Sequence, residues 1–519
     1  MGRRILYVLS SVLLLSIPWL FGGGAVLLFV GFVPLLLLQR ERPRGLWVYV
    51  AVTFALWWGF TTWWVGIAAV VGAVLAVIFG SALNTGAFML YDYILRKGTR
   101  ALAYTVFVAA WISYELLYIV GQVSFPWLTL GNGFAGDIKL VQWYEYTGVL
   151  GGSLWVLVVN LLIFNAIKEW RNIRRWMAPA AAVILPAVWS LIIYYNYREP
   201  DRKIVVTIVQ PNIDPYFEKF DALSQADQDL IIMRLMVQAP DNVDFIILPE
   251  TAIDNVYEGD LISNNQSVAA YRDVARRIFP RATVIAGAVT TKFYDSPQEA
   301  TETAYVNRNG LIYDRFNSAL QIDTTSKVGI HHKAKLVVGA ETTPYYKHLK
   351  NLKFLSIDLG GMAGHYGIGT ERTVFTSVGG VKTGAAICYE AVYGDYFGEF
   401  VEGGAEAMFI ISNDGWWGNT TGYRNLFAFS RLRAVETRRD IARSANTGKS
   451  GFIDGRGGVA KTLGWDKRGA ITGRMSLNDK VTLYVRYGDV IGRVSWLVLG
   501  LSVLYFISYR FRKRHHMAE

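Results

Sequence analysis

The sequence predicts a multi-pass helical membrane bundle of eight spans with a layered α/β domain inserted ahead of the last span. Composition points to the first part. Of 519 residues, 52% are hydrophobic and 18% charged, with a mean hydropathy of +0.27, whereas soluble domains carry about 25% charge. Apolar runs at residues 5–20, 24–38, 46–65, 68–95, 101–120, 150–167, 176–195 and 491–509 each approach the roughly 20 residues a helix needs to cross the hydrocarbon layer. The second part rests on residues 197–490, where short apolar, β-branched runs (204–209, 245–248, 283–289, 383–387, 408–412) alternate with helical stretches (267–278, 423–439), the pattern of a sheet covered by helices.

The net charge of +11 does not indicate nucleic acid once it is located. Residues 197–490 hold 34 Lys/Arg against 34 Asp/Glu, so the excess lies beside the apolar runs, where it sets membrane orientation and forms no phosphate-binding groove. Arg3 and Arg4, Arg40 to Arg44, Arg96 to Arg100, Lys168 to Arg175 and Arg510 to Arg514 fall on one side if all eight runs cross, and only Lys139 lies in the opposite short loops. Both termini are therefore expected in the cytoplasm and residues 197–490 on the other face. The organisation expected is 1–196 with seven spans, 197–490 as the inserted domain, and 491–519 as the last span with a basic tail.

The chain has one cysteine, so no intramolecular disulfide forms and the thiol needs another explanation. Cys388 follows the small apolar strand Thr383-Gly384-Ala385-Ala386-Ile387. The carboxyl ends of such strands are where α/β folds place reactive groups, and the adjacent Tyr389-Glu390 argues against an apolar core position. A nucleophilic thiol needs a base. The six histidines form no cluster with acids, and no metal-ligand spacing recurs, so no metal or cofactor is expected. The better base is Glu250, at the end of the buried strand 244–249. Lys333, in the segment His331-His332-Lys333-Ala334-Lys335, is a candidate to stabilise the oxyanion of an acyl-transfer intermediate.

Glu250, Lys333 and Cys388 in this order resemble the Glu-Lys-Cys triad of the nitrilase superfamily, and with the spans the chain is similar to the membrane-embedded apolipoprotein N-acyltransferase family. The resemblance is carried by Phe125-Pro126-Trp127, Val209-Gln210-Pro211-Asn212-Ile213, Leu248-Pro249-Glu250, Lys333 to Val337 with Glu341, Ile387-Cys388-Tyr389-Glu390, the run Ser412 to Gly418, Arg433 with Glu436, and Arg443 with Asn446. Three places depart from the family pattern: Lys335 stands where His is usual, Val338-Gly339-Ala340 precedes Glu341 in place of Pro-Phe-Gly, and Pro211 replaces a Gly. The register from Lys333 to Glu341 is kept, which leaves Lys335 as a supporting or headgroup residue.

What the resemblance implies is an αββα sandwich and covalent thioester chemistry at the periplasmic face of a bacterial inner membrane. The acyl donor is a membrane phospholipid, and the acceptor is the α-amino group of a diacylated apolipoprotein. Glu341, Tyr389 and Glu390 would support the triad, and Trp127, Trp416 and Trp417 would line the substrate or lid region. Two other readings stay open: a membrane-tethered amidase or thioesterase with water as acceptor, and a transporter with an external domain. The second is poorly served by spans whose ionisable residues are mainly Asp92 and Glu115.

Overall fold

The computed structural model describes residues 2–216, 218–343, 345 and 365–515. Two compact units emerge, one of Met1–Gly66, Val70–Asn196 and Tyr487–Glu519, the other of Ile67–Ala69 and Tyr197–Arg486. The first is helical. Its helices are α1 (Gly2–Phe21), α2 (Ala25–Arg40), α3 (Leu46–Thr62), α4 (Val70–Lys97), α5 (Arg100–Val120), α6 (Tyr144–Ile167) and α7 (Arg174–Asn196).

After the second unit the chain returns as a final helix, Val490–His515. Among the described residues six of these eight helices are long and apolar enough to cross a membrane, and α2 and α3 are shorter, at 17 residues or fewer. At 1.5 Å per residue, 17 residues reach about 25 Å, short of the ~30 Å hydrocarbon layer.

The shorter helices have local causes. Gly22-Gly23-Gly24 ends α1, with Gly22 and Gly24 at positive φ, and Arg42 and Gly45, also at positive φ, turn the chain around Pro43 between α2 and α3. Helix α2 is itself broken at Phe32, just before Pro34. There Asn160 of α6 accepts a bond from the Phe32 amide (2.8 Å) and donates to the Leu28 carbonyl (2.7 Å). These are the two groups an unbroken helix would pair with each other, and in lipid neither could be left unsatisfied. Outward positions stay apolar: Ile184, Leu185 and Val188 on α7 and Leu497, Leu501 and Leu504 on the last helix are all exposed, as surfaces facing acyl chains would be.

The second unit contains fourteen strands among the described residues: β1 (Lys203–Gln210), β2 (Phe245–Ile247), β3 (Ile253–Tyr257), β4 (Thr283–Tyr294), β5 (Tyr305–Val306), β6 (Ile312–Ile322), β7 (Val328–His332), β8 (Val374–Thr376), β9 (Lys382–Ile387), β10 (Ala407–Ser412), β11 (Ile441–Ala445), β12 (Ser450–Ile453), β13 (Val459–Leu463) and β14 (Gly469–Ser476). One sheet runs β14-β1-β2-β4-β6-β5, with β3 beside β4 and β7 beside β6, and the other runs β13-β12-β11-β10-β9-β8. The central pairs β1–β2, β2–β4, β9–β10 and β10–β11 are parallel.

Helices α8 (Gln225–Met236) and α9 (Gln266–Arg277) cover the first sheet, while α10 (Gly394–Glu402) and α11 (Thr421–Thr437) cover the second. The sheets face each other, with the rings of Phe245 on β2 and Phe409 on β10 centred 5.1 Å apart. This is an αββα sandwich. Its central strands are apolar almost throughout because a helix covers one face and the partner sheet the other. All five apolar runs expected as strands and both expected helices are present. The antiparallel strands β6, β12, β13 and β14 extend the sheets beyond that reading.

One close approach ties the sheet to the site. A side chain on Gly287 of β4 would place its Cβ 2.5 Å from both Glu250 Cα and the Pro249 carbonyl oxygen, contacts that only backbone movement relieves. Gly287→Ala is expected to destabilise the second unit by about 1–3 kcal/mol and to lower the unfolding temperature of the detergent-solubilised protein by several degrees. Gly464→Ala, where the added Cβ meets nothing within 4 Å, should leave it unchanged; equal behaviour of the two would contradict this account of the packing.

Candidate active site

Glu250, Lys333 and Cys388 each sit where a strand stops. Strand β2 ends because Pro249 has no amide hydrogen to offer the ladder, and the chain turns so that Glu250 leaves the sheet, followed by Thr251 at φ +50°. Lys333 follows β7, its amide still donating to the Asn317 carbonyl of β6 (2.8 Å). Cys388 follows β9 and opens a single 3₁₀ turn, Cys388–Val392, with φ +50°. A left-handed cysteine costs about 1–2 kcal/mol, so the surroundings must hold it. They do so through Glu390, whose Oε2 accepts the Ile387 amide hydrogen at 2.8 Å.

Two of these ends, Glu250 and Lys333, meet with Glu341 in a buried ionic group. Lys333 Nζ donates to Glu250 Oε1 (3.1 Å) and to Glu341 Oε1 (2.8 Å), and all three side chains are buried. Asn317 bridges the same two oxygens, its Nδ2 lying 2.8 Å from Glu250 and 3.0 Å from Glu341. The remaining oxygens are also held, Glu250 Oε2 by the Asn413 amide (2.9 Å) and Glu341 Oε2 by the Val337 amide (2.8 Å). Burial works against the lysine's charge, but the Glu250 and Glu341 carboxylates outweigh it and hold the ammonium well above its usual pKa.

The thiol is raised too, which leaves it neutral where the lysine is charged. Burial, then the negative charge of Glu250, push Cys388 well above the usual range, against a smaller opposing pull from Lys333. Cys388 therefore rests as a protonated thiol within electrostatic reach of the Glu250 carboxylate and the Lys333 ammonium. That arrangement suits nucleophilic acyl chemistry in which deprotonation accompanies attack.

The other expected residues lie as follows. Glu341 is inside the ionic group. Tyr389 is buried, its ring edge-on to Tyr393 at 5.4 Å, and Glu390 is fully buried under the Cys388 turn. Lys335 is directed elsewhere, its ammonium 4.9 Å from the centre of the Tyr393 ring. Trp416 is buried and Trp417 partly so, on a 3₁₀ turn after β10. The Trp416 carbonyl accepts the Tyr216 hydroxyl (2.9 Å) and the two rings meet edge to face at 5.2 Å.

Trp127 belongs to the helical unit, buried against Phe125 and Trp64. His348 and His516 lie outside the described residues. Among the described residues no group of three or more His, Cys, Asp or Glu is arranged to hold a metal. Asn317 was missed by sequence reasoning, as was Lys219, whose ammonium bonds the Thr251 hydroxyl. Burial pushes Lys219 down to about 8, against the opposing pull of Glu250 and Asp254. Its only signal was proximity to the Gln210-Pro211-Asn212 motif.

Comparisons with known proteins agree between the two units. The family described as "Carbon-nitrogen hydrolase" matches residues 205–482, and "Apolipoprotein N-acyltransferase N-terminal domain" matches residues 11–162. A Chlorobaculum tepidum protein named apolipoprotein N-acyltransferase is 29% identical over 92% of this chain and 91% of its own length. A Geobacter metallireducens protein of the same name is 26% identical over 99% and 96%. Among solved structures, Saccharomyces cerevisiae Nit3, a member of branch 10 of the nitrilase superfamily, matches 54% of this chain and 92% of its own at 16% identity and a TM-score of 0.38.

Replacing the ammonium should expose the cost of the carboxylates around it. Lys333→Met is expected to cost about 3–5 kcal/mol of stability, because it leaves Glu250 and Glu341 buried without a countercharge. A lysine held above its usual pKa contributes fully below the unfolded value of about 10.4, and the contribution fades only as pH rises past it. The unfolding-temperature difference between wild type and variant should therefore not shrink from pH 7 to 9, and it widens as the stranded carboxylates of the variant lose their protons. A difference that shrinks steadily over that window would show the lysine losing its proton there.

Proposed function

The chain belongs to the carbon-nitrogen hydrolase family, and from that premise we propose that it is a membrane-embedded N-acyltransferase. It moves an acyl chain from a phospholipid to the α-amino group of an N-terminal S-diacylglyceryl-cysteine. The observation that carries the reading is the convergence of the Cys388 thiol with Lys333 held between Glu250 and Glu341, in a chain that also has the spans a lipid-bearing substrate calls for.

In the first half-reaction Glu250 takes the thiol proton as Cys388 Sγ attacks the ester carbonyl. The tetrahedral oxyanion is stabilised by the Lys333 ammonium and backbone N–H groups. The carbon–oxygen ester bond breaks, Glu250 returns the proton to the departing lysophospholipid hydroxyl, and a thioester remains. In the second half the acceptor amine attacks the thioester and Glu250 takes its proton. The carbon–sulfur bond breaks, an amide is formed, and the proton goes back to the cysteine sulfur. The protein groups suffice for each step. Glu341 and Glu390 hold Lys333 and the Cys388 turn in place, with Tyr389 packed beside them. Trp127, Trp416 and Trp417 are assigned to lipid-substrate contact.

The domain division follows the same reading: 1–196 and 491–519 anchor the protein in a bacterial inner membrane, and 197–490 carries catalysis in the periplasm, with both termini cytoplasmic. The basic residues beside the spans support that orientation. Reporters fused after Tyr195 and after Arg512 are expected to behave as periplasmic and cytoplasmic respectively, and the reverse at either point would require a different number of crossings.

Intact mass of the purified protein incubated with phospholipid alone should show one acyl adduct on Cys388. Cys388→Ser should abolish adduct and turnover while the protein stays folded in the membrane; substantial turnover by the folded serine variant would contradict the thioester route. Lys333→Met is expected to slow adduct formation roughly 10²–10³-fold at saturating lipid. Lys335→Met should change mainly apparent lipid affinity, and less so at high salt. Exchanged phenotypes would move the oxyanion role to Lys335.

A further inference from the structure

Glu390 is fully buried, yet both its oxygens are occupied. Oε2 accepts the Ile387 amide hydrogen (2.8 Å), while Oε1 accepts the Ala334 amide hydrogen (2.7 Å) and the Tyr396 hydroxyl, with the Lys335 amide farther off at 3.4 Å. The residues it grips are informative. Ile387 immediately precedes Cys388, and Ala334 immediately follows Lys333. One carboxylate thus spans the two facing sheets, joining the end of β7 to the end of β9, and its geometry sets the spacing between ammonium and thiol.

His331, on β7, stands behind this carboxylate. It has no exposed surface, its Nε2 lies 3.6 Å from Glu390 Oε2 and 3.4 Å from the Tyr396 hydroxyl, and its ring meets Phe400 edge-on at 5.0 Å. Its Nδ1 has no hydrogen-bond partner among the described residues. A buried imidazole with one nitrogen unpaired is a poor choice for packing alone, since an apolar side chain would fill the space without stranding a polar atom. The nitrogen that does face polar groups faces the Tyr396 hydroxyl at 3.4 Å and Glu390 at 3.6 Å.

We infer that His331 is a positioning residue for Lys333 and Cys388: its Nε2–H, with the Tyr396 hydroxyl, keeps Glu390 as a carboxylate, and only the carboxylate holds both strand ends. The proton inventory gives the reason. A carboxylate is acceptor-only and receives every N–H and O–H aimed at it, whereas a carboxylic acid would turn its own O–H against one of those donors. Burial favours the acid. The His331 contact, then the Tyr396 hydroxyl and the Ile387 amide, oppose it and leave Glu390 below its usual pKa.

The groups around Glu390 are accounted for on each packed element. His331 comes from β7 and Tyr396 from α10; the 333–335 segment contributes backbone amides, with the Lys335 ammonium turned onto Tyr393. Arg372 lies 4.0 Å from the Tyr396 ring centre and pairs with Glu399 at 2.9 Å. The Lys333, Glu250 and Glu341 charges pair with one another.

The inference rests on the acyl-transfer reading, and its test separates the two. The single-turnover rate of Cys388 acylation by phospholipid is measured against pH in the full-length detergent-solubilised protein, alongside the rate of Cys388 alkylation by iodoacetamide, which needs no lipid. In His331→Leu the acidic limb of both profiles should move to higher pH by about one unit, so that the rate on that limb falls about tenfold, with apparent lipid affinity unchanged. His331→Gln, which restores a donor near Nε2, should recover part of the shift, and Tyr396→Phe should move the limb the same way by less.

A folded His331→Leu protein with unmoved limbs, or with a loss equal at every pH, would overturn the inference. Should that variant not fold, an unmoved limb in Tyr396→Phe would overturn it equally. Absence of wild-type acylation would count against the acyl-transfer reading alone, because the alkylation profile still reports on Glu390.

Discussion

A single ammonium buried between two carboxylates holds the second unit's working end together. Lys333 and Glu341 come from the segment after β7 and Glu250 from the end of β2, and each would carry a prohibitive desolvation cost alone. One ammonium faces two carboxylates, and Asn317 with the amides of Asn413 and Val337 supplies neutral donors to the remaining lone pairs, so every carboxylate oxygen is held although the group keeps an excess negative charge. That arrangement sets the electrostatics felt by the one cysteine. Burial, then the negative charge of Glu250, keep the thiol protonated, and in the proposed reaction Glu250 removes that proton as attack begins.

The helical unit obeys a different constraint. Its surface is apolar where it is exposed, and its polar side chains turn inward to satisfy backbone that helices leave open, as Asn160 does at the Phe32 break. The Trp127 region follows the same rule, with Trp19 Nε1 donating to the Trp127 carbonyl (3.1 Å) and the rings of Phe125 and Trp127 stacked. An enzyme whose donor and acceptor both carry acyl chains needs such a surface, since neither substrate leaves the bilayer readily.

Much of this was legible in the sequence because the strongest signals are local. Continuous apolar runs mark helices in lipid and doubly covered parallel strands alike, and an acid or a thiol just after such a run stands out, as Glu250 and Cys388 do. The interior antiparallel strands were harder to see. Ile312–Ile322 reads IYDRFNSALQI, and its Asp314, Arg315 and Asn317 disguise a strand that is largely buried. Asn317 was hidden for the same reason, since it looks like a loop residue until β6 places it between two carboxylates. His331 lies 65 residues before Tyr396, and only the folded sheets bring it to Glu390. The left-handed backbone at Cys388 had no sequence signal, because glycine, the usual marker of that conformation, is absent there.

The central claim is that the acyl chain passes through Cys388 to an amine. The most direct measurement forms the acyl-enzyme from phospholipid labelled in its acyl chains, removes excess lipid, and divides the sample between buffer and a diacylated lipopeptide with a free N-terminal cysteine amine. The account predicts that label stays on the protein in buffer and moves to the peptide, in an alkali-stable amide, when the lipopeptide is added. Rapid release of labelled free fatty acid in buffer, with none captured by the peptide, would contradict it and make water the acceptor.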